Sequence, residues 1–259
     1  MGIFDDIIER QNNNKTVSVS GIAIGIVKEN WNKDVPGTVR VELQLGEQGK
    51  NMTGWIPVVT PYGGEKFGQY TLPELGSEVV VAFNMGDRNC PIVIGSIWGN
   101  KSKQPEESAV EKNTIKRFKT KGGNELIFDD EDSKAKITLT TPGKLNLFID
   151  DEKKSITVSD EAGDNAVIID AENGVVELAA KSKIVLSVGG EAMLTLDGQG
   201  KTATVAAQTV KLEAKQSLSM EGKSDAALNG AQINVKAQGT LKMEASGMSE
   251  LKGGMVKIN

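Results

Sequence analysis

The chain has 259 residues, a net charge of −5, one cysteine and no histidine. Without histidine there are no Ser-His or Cys-His nucleophile pairs and no imidazole-held zinc, iron or copper, so an enzyme would have to rely on carboxylates. A single cysteine excludes intrachain disulfides and fits a reducing cytoplasm, and no apolar run is long enough for a membrane-spanning helix.

The first segment, "IFDDIIERQ", places Ile3, Phe4, Ile7 and Ile8 at helical spacing, so residues 1–15 are expected to be a short amphipathic helix and a polar tail. Its start lacks a basic flank followed by an apolar run, and no secretory signal is expected. Residues 16–100 contain five strand-like stretches punctuated by Gly and Pro: "VSVSGIAIGIV", "GTVRVELQL", "GWIPVVT", "SEVVVAF" and "PIVIGSIW". In the second, Val39, Val41, Leu43 and Leu45 alternate with Arg40, Glu42 and Gln44, the pattern of a half-buried strand. Five strands in this length predict a small Greek-key barrel of the OB type. Residues 101–120 are polar and charged and are expected to be a linker.

Composition changes after the barrel. No aromatic residue follows Phe148 and no proline follows Pro142, so the last 111 residues must build a thin core from Val, Ile, Leu, Met and Ala. "LFIDDEKKSITVSD" and "VIIDAENGVVEL" repeat one pattern, an aliphatic strand, an acidic turn and a second aliphatic strand. From Ile184 onward the turns shrink. The pairs Val210/Leu212, Leu218/Met220, Ala226/Leu228, Ile233/Val235, Leu241/Met243, Ser249/Leu251 and Val256/Ile258 are separated by 8, 8, 7, 8, 8 and 7 residues. Inward residues two apart mark strands, and an 8+8+7 repeat is three strands and three corners, a triangular β-helix. Either one chain stacks on itself or three chains wind together. The narrow core and the absence of a capping helix after Ile258 favour an intertwined trimer. Its expected core is Val210, Leu212, Leu218, Met220, Leu228, Ile233, Val235, Leu241 and Met243.

The chemical motifs carry little. "DDEDS" at 129–133 clusters carboxylates suited to calcium, but lacks EF-hand spacing; it and Asp150–Glu152 are expected to be solvated turns. A glycosidase carboxylate pair would lack substrate-stacking aromatics in this region. Cys90, just before a strand, is expected to be a buried small side chain. Residues 1–120 hold 14 basic and 14 acidic residues, so no basic groove for nucleic acid is expected.

Two stretches resemble known proteins. "LPELGSEVVVAFNMGDRNCPIVIGSIWGN" (72–100) is similar to the OB-domain signature of the phage baseplate assembly protein V family and of VgrG spikes of type VI secretion. "KGGNELIFDDEDSKAKITLTTPG" (121–143) resembles the start of the spike β-helix in the same proteins. The resemblance implies a non-enzymatic, homotrimeric central spike at the tip of a contractile injection machine, without cofactors. Such a protein is cytoplasmic until assembled into a phage tail or tail-like particle, and then pierces the target cell envelope. The large hub domains of VgrG are missing, which implies a separate hub protein. The linker is too short for a lysozyme domain, and the histidines that hold iron at some spike tips are absent. The end "GGMVKIN" resembles blunt spikes that accept a PAAR-type cap, which would sit on Met255, Val256, Lys257, Ile258 and Asn259. The alternative class is a single-chain β-solenoid adhesin or carbohydrate-active protein.

Overall fold

A computed structural model describes residues 21–45, 50–99 and 102–258. The expected N-terminal helix and the start of the first strand at Val17 lie outside the described residues, as does Asn259. The described chain is all-β apart from one short 3-10 turn at Asn84–Gly86. Among the described residues no helix is long and apolar enough to cross a membrane.

The barrel uses the five anticipated stretches: β1 (Ile22–Glu29), β2 (Thr38–Leu43), β3 (Ile56–Pro57), β6 (Glu78–Phe83) and β7 (Pro91–Ser96), in sheet order β3-β2-β1-β6-β7. The ends of this sheet meet. Val58 forms a parallel bridge with Val93, and the Val59 N–H donates to the Val93 carbonyl at 2.8 Å. Alternation supplies the core, because every second residue of a strand points to the same side. Ala23 and Val27 of β1, Val39 and Val41 of β2, Val79, Val81 and Phe83 of β6 and Val93 of β7 are buried around Ile56. The outward side is tied by ion pairs, Lys28–Glu42 at 2.8 Å and Arg40–Glu29 at 2.6 Å. β1 and β2 approach closely at Gly25, where an added Cβ would lie 2.3 Å from Val41 Cγ1. A two-residue hairpin, β4 (Gly63–Gly64) and β5 (Phe67–Gly68), also forms. Its strands are too short for periodicity to reveal.

Cys90 is exposed, not buried. It closes a turn in which its own N–H donates to the Asp87 carbonyl and the Asn89 N–H to Asp87 Oδ1. The turn, rather than the apolar strand that follows it, sets its environment.

Beyond the barrel come seven strands of a single antiparallel meander: β8 (Ile115–Lys119), β9 (Glu125–Asp129), β10 (Lys136–Thr140), β11 (Asn146–Asp150), β12 (Ser155–Ser159), β13 (Ala166–Asp170) and β14 (Val175–Ala179), in unbroken sheet order. β8 falls inside the stretch expected to be a linker, so the irregular connection is shorter than its charge indicated. The basic residues that disguised it have partners. Arg117 lies 3.6 Å from Glu125 with its side chain only 10% exposed, and Lys119 pairs with the same carboxylate at 3.2 Å. A three-stranded sheet follows, β15 (Lys183–Val188), β16 (Glu191–Asp197) and β17 (Thr202–Val205). Residues 205–258 form a separate unit in which no strand follows Val205 among the described residues.

Candidate assembly surface

The meander's turns are built by side-chain capping. Asp150 Oδ1 accepts the Lys153 N–H at 3.1 Å, Asp170 Oδ1 the Asn173 N–H at 2.9 Å, and Asp197 Oδ1 the Gly200 N–H at 2.9 Å. Asp129 accepts the Glu131 N–H at 3.2 Å, so "DDEDS" closes a turn of the same kind. At Asp170 and Asp197 these contacts favour the carboxylate form. A hydrogen bond from the Asn173 amide holds Asp170 below the ordinary carboxylate range, the Asn165 amide does the same for Asp160, and the Gly200 N–H and Lys183 do so for Asp197. Lys181 is held above the ordinary lysine range by its contact with Asp164.

The registers between these turns sort the side chains onto two faces. One row runs Phe118, Leu126, Leu139, Leu147, Val158, Val167, Leu178 across the seven strands. The next row on the same face runs Lys116, Phe128, Ile137, Ile149, Ile156, Ile169, Val176. Thirteen of these fourteen side chains are apolar. The opposite face carries the charged and hydroxyl residues Glu125 and Asp129, Lys136 and Thr140, Asp150, Ser155 and Ser159 in its outer rows, with Asp150 buried beside Lys136 at 3.8 Å, and a mixed middle row that includes Ile127, Phe148 and Ile168.

The apolar face is the more exposed of the two. Val158 is 46% and Val176 68% exposed, and Phe128, Leu139, Ile156, Val167 and Ile169 are likewise exposed, while Thr138, Phe148, Thr157 and Ile168 behind them are half-buried. β15 and β16 repeat the arrangement, with Ile184 opposite Leu196 and Leu186 opposite Leu194 on one side, and Lys183 paired with Asp197 at 2.8 Å on the other. A continuous apolar wall of this extent is far larger than the scattered apolar residues of an ordinary monomer surface and marks an interface.

Each residue expected to form the trimer core is exposed in the single chain. Val210, Leu212, Leu218, Met220, Leu228, Ile233, Val235, Leu241 and Met243 range from 48% exposed at Ile233 to 85% at Met243. Met255, Val256, Lys257 and Ile258 of the expected cap seat are exposed as well. The sequence reading placed the core in 210–243 and missed the wall at 116–178. The signal was present, since Leu126/Phe128, Ile137/Leu139, Leu147/Ile149, Ile156/Val158, Val167/Ile169 and Val176/Leu178 show the same two-residue spacing.

A five-stranded barrel whose sheet ends meet is followed by sheets that each leave one apolar face uncovered, an all-β arrangement. Part of the chain is similar to known proteins. Residues 23–98 match the family described as the type VI secretion system/phage-baseplate injector OB domain. The type VI secretion system spike protein VgrG5 of Pseudomonas aeruginosa is 30% identical over 127 residues, 46% of this chain and 16% of that protein. VgrG1b of the same organism is 28% identical over 142 residues, 52% of this chain and 18% of that protein. The spike protein VgrG3 of Vibrio cholerae is 27% identical over 111 residues, 41% of this chain and 11% of that protein. The chain is thus similar to the injector OB domain over residues 23–98 and to part of VgrG-type spikes, and it spans less than a fifth of those relatives' lengths.

Proposed function

We propose that the protein is the structural central spike of a contractile injection particle and works as a homotrimer. The observation that carries this is the exposed apolar wall of β8–β14. Three copies that turn these walls toward one axis form a triangular prism with a dry interior and the charged and hydroxyl residues outside. The 8+8+7 spacing of residues 210–258 supports three as the copy number. The matched OB domain and the spike names of the relatives support the place in the particle. The barrels then form a collar on a separate hub protein, and the prism transmits axial force to the target cell envelope when the sheath contracts. Met255, Val256, Lys257, Ile258 and Asn259 are the proposed seat of a PAAR-type tip protein, with Met255, Val256 and Ile258 offering apolar side chains to it. No chemistry is assigned to the chain; it is a mechanical element found in a phage tail or tail-like particle.

A single-chain solenoid adhesin or carbohydrate-active protein would have to cover its apolar faces with its own chain. The meander instead leaves its wall open. Molar mass by light scattering on the full chain decides between the two: three times 27.6 kDa is expected, and a soluble monomer would overturn the spike reading.

A further inference from the structure

An asparagine or aspartate followed by glycine is chemically labile. Glycine has no Cβ to shield its backbone nitrogen, and that nitrogen reaches the preceding side-chain carbonyl carbon and closes a cyclic imide. The chain has three such pairs: Asn173-Gly174, Asp197-Gly198 and Asn229-Gly230. Asn173 and Asn229 are both exposed, so access to water does not separate the two asparagines. Hydrogen bonding does.

At Asn173 the reacting group is held back. Its N–H donates to Asp170 Oδ1 at 2.9 Å, and its side-chain amide donates to Asp170 Oδ2 at 2.8 Å. One carboxylate thus grips the residue at two points and keeps the amide on the β13 side of the turn. At Asp197 both reactants are engaged. The carboxylate accepts the Gly200 N–H at 2.9 Å and pairs with Lys183 at 2.8 Å, while the Gly198 N–H donates to the Ser182 carbonyl at 2.8 Å. An aspartate must also be protonated before it can lose an oxygen as water, and these partners hold Asp197 ionised.

Asn229-Gly230 has none of these restraints. It lies in the corner between Leu228 and Ile233, within the unit of residues 205–258. Among the described residues neither the Asn229 amide nor the Gly230 N–H makes a hydrogen bond. We propose that Asn229 is a site of spontaneous covalent modification. The Gly230 nitrogen bonds to Asn229 Cγ, the Cγ–Nδ2 bond breaks, and the amide leaves as ammonia with the proton of the glycine nitrogen. Water then opens the succinimide to aspartate or isoaspartate, and no other reactant is needed. The product exchanges a neutral amide for a carboxylate. Isoaspartate also routes the backbone through Cβ, which lengthens this corner by one carbon. The chemistry does not depend on the number of copies; its effect on a prism corner rests on the trimeric reading above.

The test incubates the full chain in warm, mildly alkaline buffer. Peptide mapping by mass spectrometry follows amide-to-acid conversion at each asparagine, and labelling by an isoaspartyl methyltransferase follows isoaspartate. Releasing an amide from a carboxylate slows ring closure, so Asn229 is expected to convert on the order of 10-fold or more faster than Asn173. Gly230→Ala is expected to slow conversion at Asn229, because the new Cβ crowds the attacking nitrogen. Asp170→Ala is expected to raise Asn173 to the rate of Asn229. Equal rates at the two asparagines of the unaltered chain, or no conversion at Asn229, overturn the inference and leave the trimeric reading standing. An Asn173 rate that Asp170→Ala leaves unchanged overturns the protection assigned to Asp170, and the contrast between the two sites with it.

Discussion

Val158 and Thr157 are adjacent on β12 but face opposite ways, Val158 between Leu147 and Val167 on the apolar wall and Thr157 between Phe148 and Ile168 behind it. The same substitution at the two positions therefore tests which face is turned inward. Val158 is 46% exposed in the single chain. Covering the remainder recovers about half of the ~2 kcal/mol gained by burying a whole valine, so about 1 kcal/mol per copy and about 3 for three copies. Val158→Ala forfeits a large part of that, and is expected to weaken assembly by roughly 100-fold. Val158→Asp adds an unpaired carboxylate, which costs several kcal/mol per copy on leaving water. Three of them facing one axis would abolish the trimer at micromolar concentration. Thr157→Asp puts its carboxylate on the half-buried opposite face, away from the axis, and is expected to weaken assembly far less than Val158→Asp. Light scattering gives the mass, and circular dichroism shows whether the β-structure persists. A Val158→Asp protein that remains trimeric while Thr157→Asp dissociates would refute the inward orientation of the apolar wall.

Four further outcomes are expected. Gly25→Ala forces a Cβ to within 2.3 Å of Val41 Cγ1, and overpacking of this kind should cost about 1–3 kcal/mol, seen as a lower denaturant midpoint for the barrel. Lys154 sits at φ 49, where Gly174 occupies the equivalent turn at φ 67; Lys154→Gly should stabilise by about 0.5–1 kcal/mol in thermal melts. Asp160, Asp170 and Asp197 have pKa values lowered from 3.8, so their contribution is complete well above that value and is lost as pH falls through the depressed values; Asp170→Asn should flatten the acid limb of the melting temperature against pH. Leu218→Asp or Leu241→Asp should abolish soluble trimer, and either variant recovered as trimer at the wild-type yield would count against a core at those positions.

The barrel was legible in the sequence because its strands alternate cleanly. Val39/Val41 and Val79/Val81 declare an inner side, and Arg40, Glu42 and Glu78 an outer one. β4 and β5 were not legible, because two-residue strands have no period. β8 was hidden by composition: "IKRFK" resembles linker, and only the buried pairing of Arg117 with Glu125 makes its charge compatible with a sheet. The hairpins of the meander were anticipated from their acidic turns. That seven strands would close into a wall from one chain was not, since a two-residue spacing fixes which side chains share a face and leaves open which chain supplies the neighbouring strand.

Turn chemistry separates what otherwise looks alike. The apolar pairs at 126–178 and at 210–258 share one spacing, yet the first set pairs within its own chain and the second does not. A hairpin must reverse the chain, which takes a capping carboxylate and a residue that tolerates left-handed backbone. Through residue 201 both are supplied: Asp129, Asp150, Asp170 and Asp197 cap, and Ser133, Lys154, Gly174 and Lys201 take positive φ. After Lys201 no described residue has positive φ. The Gly and Ser corners of that segment let the chain bend without turning back. A strand that cannot fold onto its own predecessor still needs its backbone groups paired and its apolar side covered. For Leu218, Ile233 and Leu241, the proposed trimer would supply both from strands of other copies.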